Sequence, residues 1–123
     1  MNDIQISKNF KMSEFECTHP DHRHTRIDEE LLDKLQQLRD RLEVPLIINS
    51  AYRCPERNKQ VDGAEYSQHL YGKAVDISLH TIPLQIEEIK RIAKQIGFRG
   101  IGLYNTFIHL DVRHRPAEWN NRR

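Results

Sequence analysis

Two segments of the chain alternate between apolar and polar residues, and this alternation constrains the possible folds more than any other feature of the sequence. In the first segment, residues 73–79, the apolar positions are Val75, Ile77 and Leu79. In the second segment, residues 107–113, the apolar positions are Ile108, Leu110 and Val112. Because successive side chains of a β-strand point to opposite faces, each segment predicts a strand with one buried face. An apolar sheet face must be covered by another layer of structure.

Three segments are predicted to be helical and to supply that layer: residues 28–43, 55–63 and 83–97. Leucines recur at steps of four and three residues in the first segment, and isoleucines mark one face of the last. Asp28 is suited to cap the first helix, Pro55 to open the second, and Gly97 to end the third. With short strands at 46–48 and 101–104, the pattern predicts an α+β fold, with a small, largely antiparallel sheet and helices packed on one side.

Length and composition indicate one globular domain over residues 1–123, with 37% hydrophobic and 30% charged residues. The net charge of +1 gives no electrostatic support to a nucleic-acid partner. No apolar run is long enough for membrane insertion, and the first residues lack the apolar stretch of a secretory signal. We therefore expect a monomer that is made in the cytoplasm. The arginines near the end are expected to form a solvated tail: Arg113, Arg115, Arg122 and Arg123.

The polar faces of the two alternating strands carry residues that bind metal ions. Asp76 lies opposite the apolar face of the first strand, and His109 lies opposite that of the second. A carboxylate in such an apolar strand must be solvated, paired or bound to a metal. If the strands are neighbours, His69 from the preceding turn can converge on both, and two imidazoles with one carboxylate are ligands of a catalytic zinc. The residues alone leave open the alternative that each is an ordinary, satisfied polar side chain.

A longer motif carries a resemblance to a known family. The chain contains Ser67-x-His69-x-x-Gly72-x-Ala74-x-Asp76, followed by His109 in a short strand. This pattern resembles the signature of the zinc D-alanyl-D-alanine peptidases, which share a metal site with the Hedgehog signalling domain and lysostaphin-type enzymes. The resemblance extends over nearly the whole chain, to the compact bacterial and phage members. Its further segments are residues 13–15, 50–53 with Pro55 and Asn58, and 108–113.

The resemblance implies one zinc ion bound by His69, Asp76 and His109. It places Arg53 beside the site, where a guanidinium would hold a substrate carboxylate or make a structural ion pair. Ser67 and Gln68 would donate hydrogen bonds near the metal or to the substrate, although Ser67 is equally suited to cap its turn. The substrates of the family are peptide cross-links or stem peptides of the bacterial cell wall.

The sequence departs from the family pattern at the general base. Many relatives place Glu or Asp three residues before the last histidine, or another histidine two before it. Thr106 and Phe107 stand at those positions, and neither can serve. The nearest titratable candidate is Asp111, which shares a strand face with His109. Asp111 would either accept a proton from the water that the metal activates or orient a ligand from behind.

The remaining metal-binding residue types are concentrated near the start of the chain. Four of them form a Cys-x-His-x-x-His-x-His cluster: Cys17, His19, His22 and His24. This cluster is either a hydrophilic loop or a second metal site, since its spacing is tighter than that of common zinc sites. The sequence does not decide whether Cys17 and Cys54 pair.

Taken with the resemblance, the sequence predicts a zinc peptidase that hydrolyses amide bonds in peptidoglycan peptides. It would be a D-Ala-D-Ala carboxypeptidase or an endopeptidase that cuts stem peptides or cross-links. Such a protein would reach the cell wall by phage lysis or another release route. Two alternatives are a non-catalytic zinc-containing module that binds wall peptides and a phage structural protein. Trp119 would line a substrate groove or pack as part of the core or a lid.

Overall fold

The computed structural model describes residues 4–18, 25–61, 63–64 and 67–123. Within these ranges the helices are α1 (Glu29–Leu42), α2 (Pro55–Gln60) and α3 (Ile86–Ile96). The strands are β1 (Gln5–Ser7), β2 (Phe10–Lys11), β3 (Ile48–Ser50), β4 (Ala74–Ser78), β5 (Gly100–Leu103), β6 (Phe107–Asp111) and β7 (Ala117–Asn120). Two short 3-10 turns cover Met12–Phe15 and Gln68–Tyr71.

Five strands form the main sheet in the order β3-β4-β6-β5-β7, and β1 and β2 form a separate antiparallel pair. Neighbouring strands of the main sheet are antiparallel except β5 and β7, which are parallel. In the centre, Val75 of β4 pairs with Leu110 of β6, and Leu110 pairs with Ile101 of β5. The predicted α+β fold with a largely antiparallel sheet is confirmed.

The hydrophobic core lies between one face of this sheet and the helices. The apolar residues of the two alternating segments join buried residues of α1 and α3 in one cluster, which includes Val75, Ile77, Ile108, Leu110, Leu35, Leu38, Ile89 and Ala93. Because the side chains alternate, the intervening residues of β4 and β6 emerge on the opposite face. That face carries the polar residues discussed below.

The structure confirms the predicted start of α1 and the predicted end of α3, whereas α3 begins at Ile86 and not near Pro83. The Asp28 side chain caps α1 by accepting hydrogen bonds from the backbone N–H groups of Glu30 and Leu31. Gly97, with φ of 116°, ends α3 in the left-handed conformation. The prediction that Gly63 closes α2 is wrong, because the helix ends at Gln60. Gly63 instead donates its N–H to the carbonyl of Asn58.

The end of the chain is more structured than the sequence indicated. Residues Ala117–Asn120 form β7 on the edge of the sheet, where Trp119 pairs in register with Gly102. Arg113, expected in a solvated tail, is held by Asp111 and is only 27% exposed. The apolar run predicted as a strand at 46–48 is displaced, since β3 begins at Ile48. In the part of the chain that is described, no helix has the length and apolar character needed to cross a membrane.

Candidate metal centre

Three predicted ligands meet on the sheet face that points away from the core. Asp76 of β4 lies directly opposite His109 of β6. His69 lies in the 3-10 turn that immediately precedes β4. All three side chains are buried, and one ligand atom from each lies within 4.8 Å of the other two. The predicted convergence of these residues is therefore confirmed.

The distances between the ligand atoms suit a small divalent cation. Oδ1 of Asp76 is 3.2 Å from Nε2 of His69 and 3.0 Å from Nδ1 of His109. Ligands of a tetrahedral zinc with bonds of about 2.0–2.1 Å lie roughly 3.3 Å apart. Two imidazoles and one carboxylate also match the donor set of a catalytic zinc, which keeps its fourth position open. The residues present fit a bound zinc ion.

Hydrogen bonds behind the two histidines select the nitrogen that faces the centre. Nδ1 of His69 is 2.6 Å from the carbonyl oxygen of Ala51, which can only accept, so Nδ1 donates and Nε2 keeps its lone pair. Nε2 of His109 donates to Oδ2 of Asp111 at 2.7 Å, which leaves Nδ1 as the ligand atom. Partners of this kind fix the tautomer and ring orientation of metal-binding histidines.

The turn that carries His69 is fixed at both ends. The Ser67 side chain accepts a hydrogen bond from the N–H of His69, so the capping role is observed for this serine. Gly72 ends the turn with φ of +67°, and a Cβ there would lie 2.5 Å from the carbonyl oxygen of Arg26. A side chain at this position is excluded by both the conformation and the close approach. The glycine of the motif therefore places His69 in front of Asp76.

Neighbouring side chains keep the carboxylates of Asp76 and Asp111 ionised. Burial disfavours the charged form of Asp76, but the neighbouring imidazoles of His109 and His69 outweigh it in the metal-free protein and hold the pKa of Asp76 well below its usual range. Burial likewise opposes ionisation of Asp111, and hydrogen bonds from His109 and Arg113 hold its pKa low. The pKa of His109 is raised by its two carboxylate neighbours, despite burial. Both carboxylates therefore stay ionised, and Asp76 is able to bind a cation at the centre.

Arg53 lies beside the centre, as predicted, and contacts a ligand directly. Its Nη2 donates to Oδ2 of Asp76 at 3.4 Å, its Nη1 to Asn58 at 3.0 Å, and its Nε to Ser50 at 3.3 Å. Burial lowers the pKa of this guanidinium, although Asp76 opposes the change. Each nitrogen of Arg53 therefore already has an acceptor within the protein.

On the other side of His109, Asp111 is fully buried and bound at both oxygens. Arg113 donates to it from its backbone N–H at 3.0 Å and from its guanidinium at 2.6 to 3.1 Å. A Cβ on Gly100 would lie 2.0 Å from Oδ1 of Asp111, so the carboxylate rests directly on that glycine. The contacts run without interruption through Arg53, Asp76, His109, Asp111 and Arg113.

The centre opens into a cavity of about 460 Å³. Ser67 and Gln68, for which substrate binding stays a prediction, line it together with an aromatic wall of Trp119, Tyr104 and Phe107. The Trp119 ring lies 5.1 Å from the His109 ring, and its Nε1 donates to the Tyr104 hydroxyl at 2.9 Å. Of the two roles considered for Trp119, the structure shows the groove wall.

The two cysteines lie next to each other, and their thiols are free. Both are buried, and the N–H of Cys54 donates to Sγ of Cys17 at 3.1 Å. Sγ of Cys54 in turn accepts from the N–H of Arg57 and caps α2. The second metal site considered for the early cluster lies outside the described residues at three positions: His19, His22 and His24.

Comparison with known proteins identifies a family for the chain. A family model described as Peptidase M15 matches residues 8–111 of the chain. That stretch contains all three candidate ligands and ends at Asp111. A search of curated proteins gave no match.

Proposed function

The chain belongs to the peptidase M15 family, a family of zinc metallopeptidases, and from this premise we propose that it hydrolyses amide bonds in peptides of bacterial peptidoglycan. One observation carries the proposal: the buried cluster of His69, Asp76 and His109 on the wall of a cavity of about 460 Å³. The expected cofactor is one zinc ion. The expected products are those of a carboxypeptidase or an endopeptidase.

The metal and the residues of the chain would supply different parts of the hydrolysis reaction. When bound, zinc would supply a Lewis acid that polarises the scissile carbonyl and increases the acidity of water. The chain's own residues hold and orient the reacting groups. His69, Asp76 and His109 would hold the cation, and the aromatic wall of Trp119, Tyr104 and Phe107 lines one side of the cavity.

Asp111 is proposed as a residue that positions His109. Its carboxylate is 0% exposed and accepts hydrogen bonds from both His109 and Arg113. A base must reach the proton that it removes, and the contacts of Asp111 instead lie behind the imidazole. Arg53 is likewise proposed as a positioning residue. Its hydrogen bond to Oδ2 of Asp76 leaves Oδ1 directed at the centre.

The peptidase proposal requires a general base, whereas its main rival, a binding module, does not. Among the described residues that line the cavity, Asp76 is the only carboxylate. This observation favours a second candidate, a zinc-containing module that binds wall peptides without cutting them. A phage structural protein is the third possibility, and it would be recognised by stable association with a particle.

The test is mass spectrometry of purified muropeptides incubated with zinc-loaded protein. We expect a new peptide product whose mass identifies the cleaved bond, and its loss in His69→Ala. The matched control is His80→Ala, since His80 is exposed and does not line the cavity.

The pattern of products decides between the candidates. A product that forms equally in wild type and His69→Ala would contradict catalysis by this centre. Binding of muropeptides without any product, by protein shown to carry zinc, would support the binding module instead.

A further inference from the structure

We infer that Arg113 binds a carboxylate of the substrate and that Arg53, the residue expected in this role, positions Asp76 instead. This inference rests on the proposed function, because it names the substrate class of the same cavity. Both arginines line the cavity, one at each end of the series of contacts described above. They differ in the N–H groups of the guanidinium that are not already hydrogen-bonded.

The guanidinium of Arg113 has an unused edge. An arginine presents five N–H donors in a plane. Asp111 accepts from Nε and Nη2, so it occupies the side edge of the guanidinium. Nη1 makes no hydrogen bond within the described residues, and with the second N–H of Nη2 it forms a parallel pair of donors. That pair matches the two oxygens of a carboxylate.

Arg53 has fewer unused donors than Arg113. Its three nitrogens donate to three different residues, and its side chain is 15% exposed, against 27% for Arg113. A Cβ on Gly63 would lie 2.8 Å from Nη1 of Arg53, so the backbone covers that side of the guanidinium. A substrate carboxylate at Arg53 would meet a guanidinium whose every nitrogen already has an acceptor, whereas Nη1 of Arg113 has both of its N–H groups unused within the described part of the chain.

The plane of the Arg113 guanidinium is fixed before any ligand arrives. Its central carbon lies 5.0 Å from the centroid of the Trp119 ring, a cation–π contact. The ring is held by the hydrogen bond to Tyr104 and rests on Gly102, where a Cβ would lie 2.4 Å from it. A donor pair that is already oriented loses little freedom on binding, which favours affinity.

The charge balance of the cavity also favours an anionic substrate. Its described lining contains two arginines and one carboxylate, Asp76, which is committed to the metal centre. A carboxylate on the peptide can come from its C-terminus or from an acidic side chain. A terminal carboxylate would make the protein a carboxypeptidase, and a side-chain carboxylate would be compatible with an endopeptidase.

The experiment compares matched peptides that differ by one carboxylate, first at the C-terminus and then at a side chain, each against its amide. KM and kcat are measured for wild type, Arg113→Gln, Arg113→Lys and Arg53→Lys, with exposed Arg115→Gln as the control. Binding of each peptide to zinc-loaded protein is measured by calorimetry in parallel. Circular dichroism checks that every variant is folded.

We expect Arg113→Gln to raise KM about 10- to 100-fold for one carboxylate peptide and to leave its amide unchanged, as for loss of a charge-assisted pair. The affected peptide identifies the carboxylate. Arg113→Lys should retain part of the preference, because it keeps the charge without the planar pair. It also tests the inference if Arg113→Gln does not fold. Arg53→Lys should weaken zinc binding and leave the carboxylate preference intact.

Two results would overturn the inference: an equal effect of Arg113→Gln on carboxylate and amide peptides, or loss of the preference in Arg53→Lys alone. Calorimetry separates this failure from failure of the proposed function. If no peptide is cleaved but the carboxylate peptide binds and Arg113→Gln weakens it, the peptidase proposal fails and the role of Arg113 holds.

Discussion

Replacing Asp111 by asparagine should weaken zinc binding by about 10- to 100-fold, the usual cost of losing a group that orients a metal ligand. In the structure, Oδ2 accepts from His109 and from the guanidinium of Arg113, while Oδ1 accepts from the backbone N–H of Arg113. An asparagine must turn its NH₂ group toward one of these donors. Either orientation leaves two donors facing each other.

The size of the effect follows from this geometry. A 10- to 100-fold change in affinity corresponds to about 1.4–2.7 kcal/mol. A buried donor without an acceptor costs about 1–3 kcal/mol, which is the same range. Asp111→Ala removes the acceptor altogether, so we expect it to be at least as damaging.

Zinc affinity is measured by competition with a chelating dye, and the stability of the metal-free protein by urea unfolding. The control is Asp33→Asn, because Asp33 is an exposed residue of α1 that accepts a hydrogen bond from Gln37 and does not line the cavity. Unchanged zinc affinity in Asp111→Asn, together with a large loss of kcat, would refute the positioning role and restore Asp111 as the base.

Three further predictions concern the surroundings of the site. Gly102→Ala should displace the Trp119 ring, shift its fluorescence and raise KM, whereas a change in stability with normal fluorescence and KM would contradict the packing described. Glu30, whose pKa is lowered to about 2 by hydrogen bonds from Arg99 and Lys34, should stabilise the fold above its ordinary pKa of 4.5 and lose that effect as the pH falls toward 2. Because Glu30 is 40% exposed, the contribution should stay below about 1 kcal/mol, so urea midpoints of wild type and Glu30→Gln should differ slightly at pH 7 and converge near pH 2. Cys17 and Cys54 are buried, and burial raises the pKa of the Cys54 thiol. A thiol reagent should therefore modify both only at the rate of unfolding, and rapid labelling of the folded protein would refute this.

Much of the fold was predictable because its signals are local. The alternation in β4 and β6 predicts which face is buried, and the Asp28 cap and the terminal Gly97 predict helix ends. The convergence of the ligands followed once β4 and β6 were assumed to be neighbours. Residue type and periodicity are sufficient for such features.

Other parts of the site have no such signal. The partner of His69 is the carbonyl oxygen of Ala51, a backbone atom that every residue possesses. Strand β7 is short and half exposed, and it pairs with β5 across the intervening strand β6 of the sequence, so the sequence left open whether Trp119 lines a groove or packs in the core or a lid.

The two glycines of β5 carry a further signal in the sequence. Gly100 and Gly102 occupy alternate positions of a short strand and therefore share a face. Glycines in a strand often mark a place where another group approaches closely. They lie beneath Asp111 and Trp119, and the pattern was sufficient to predict bulky neighbours there.

The division of β4 and β6 into a core face and a metal face has a consequence for how this sequence can change over time. A substitution on the metal face alters chemistry and leaves the core intact. Loss or gain of one residue within either strand would instead exchange the two faces, placing Asp76 or His109 among the helices and aliphatic side chains in the cavity. A point mutation on the metal face can therefore change substrate preference while the fold is kept. A single-residue insertion or deletion in these strands should instead eliminate folding and metal binding together.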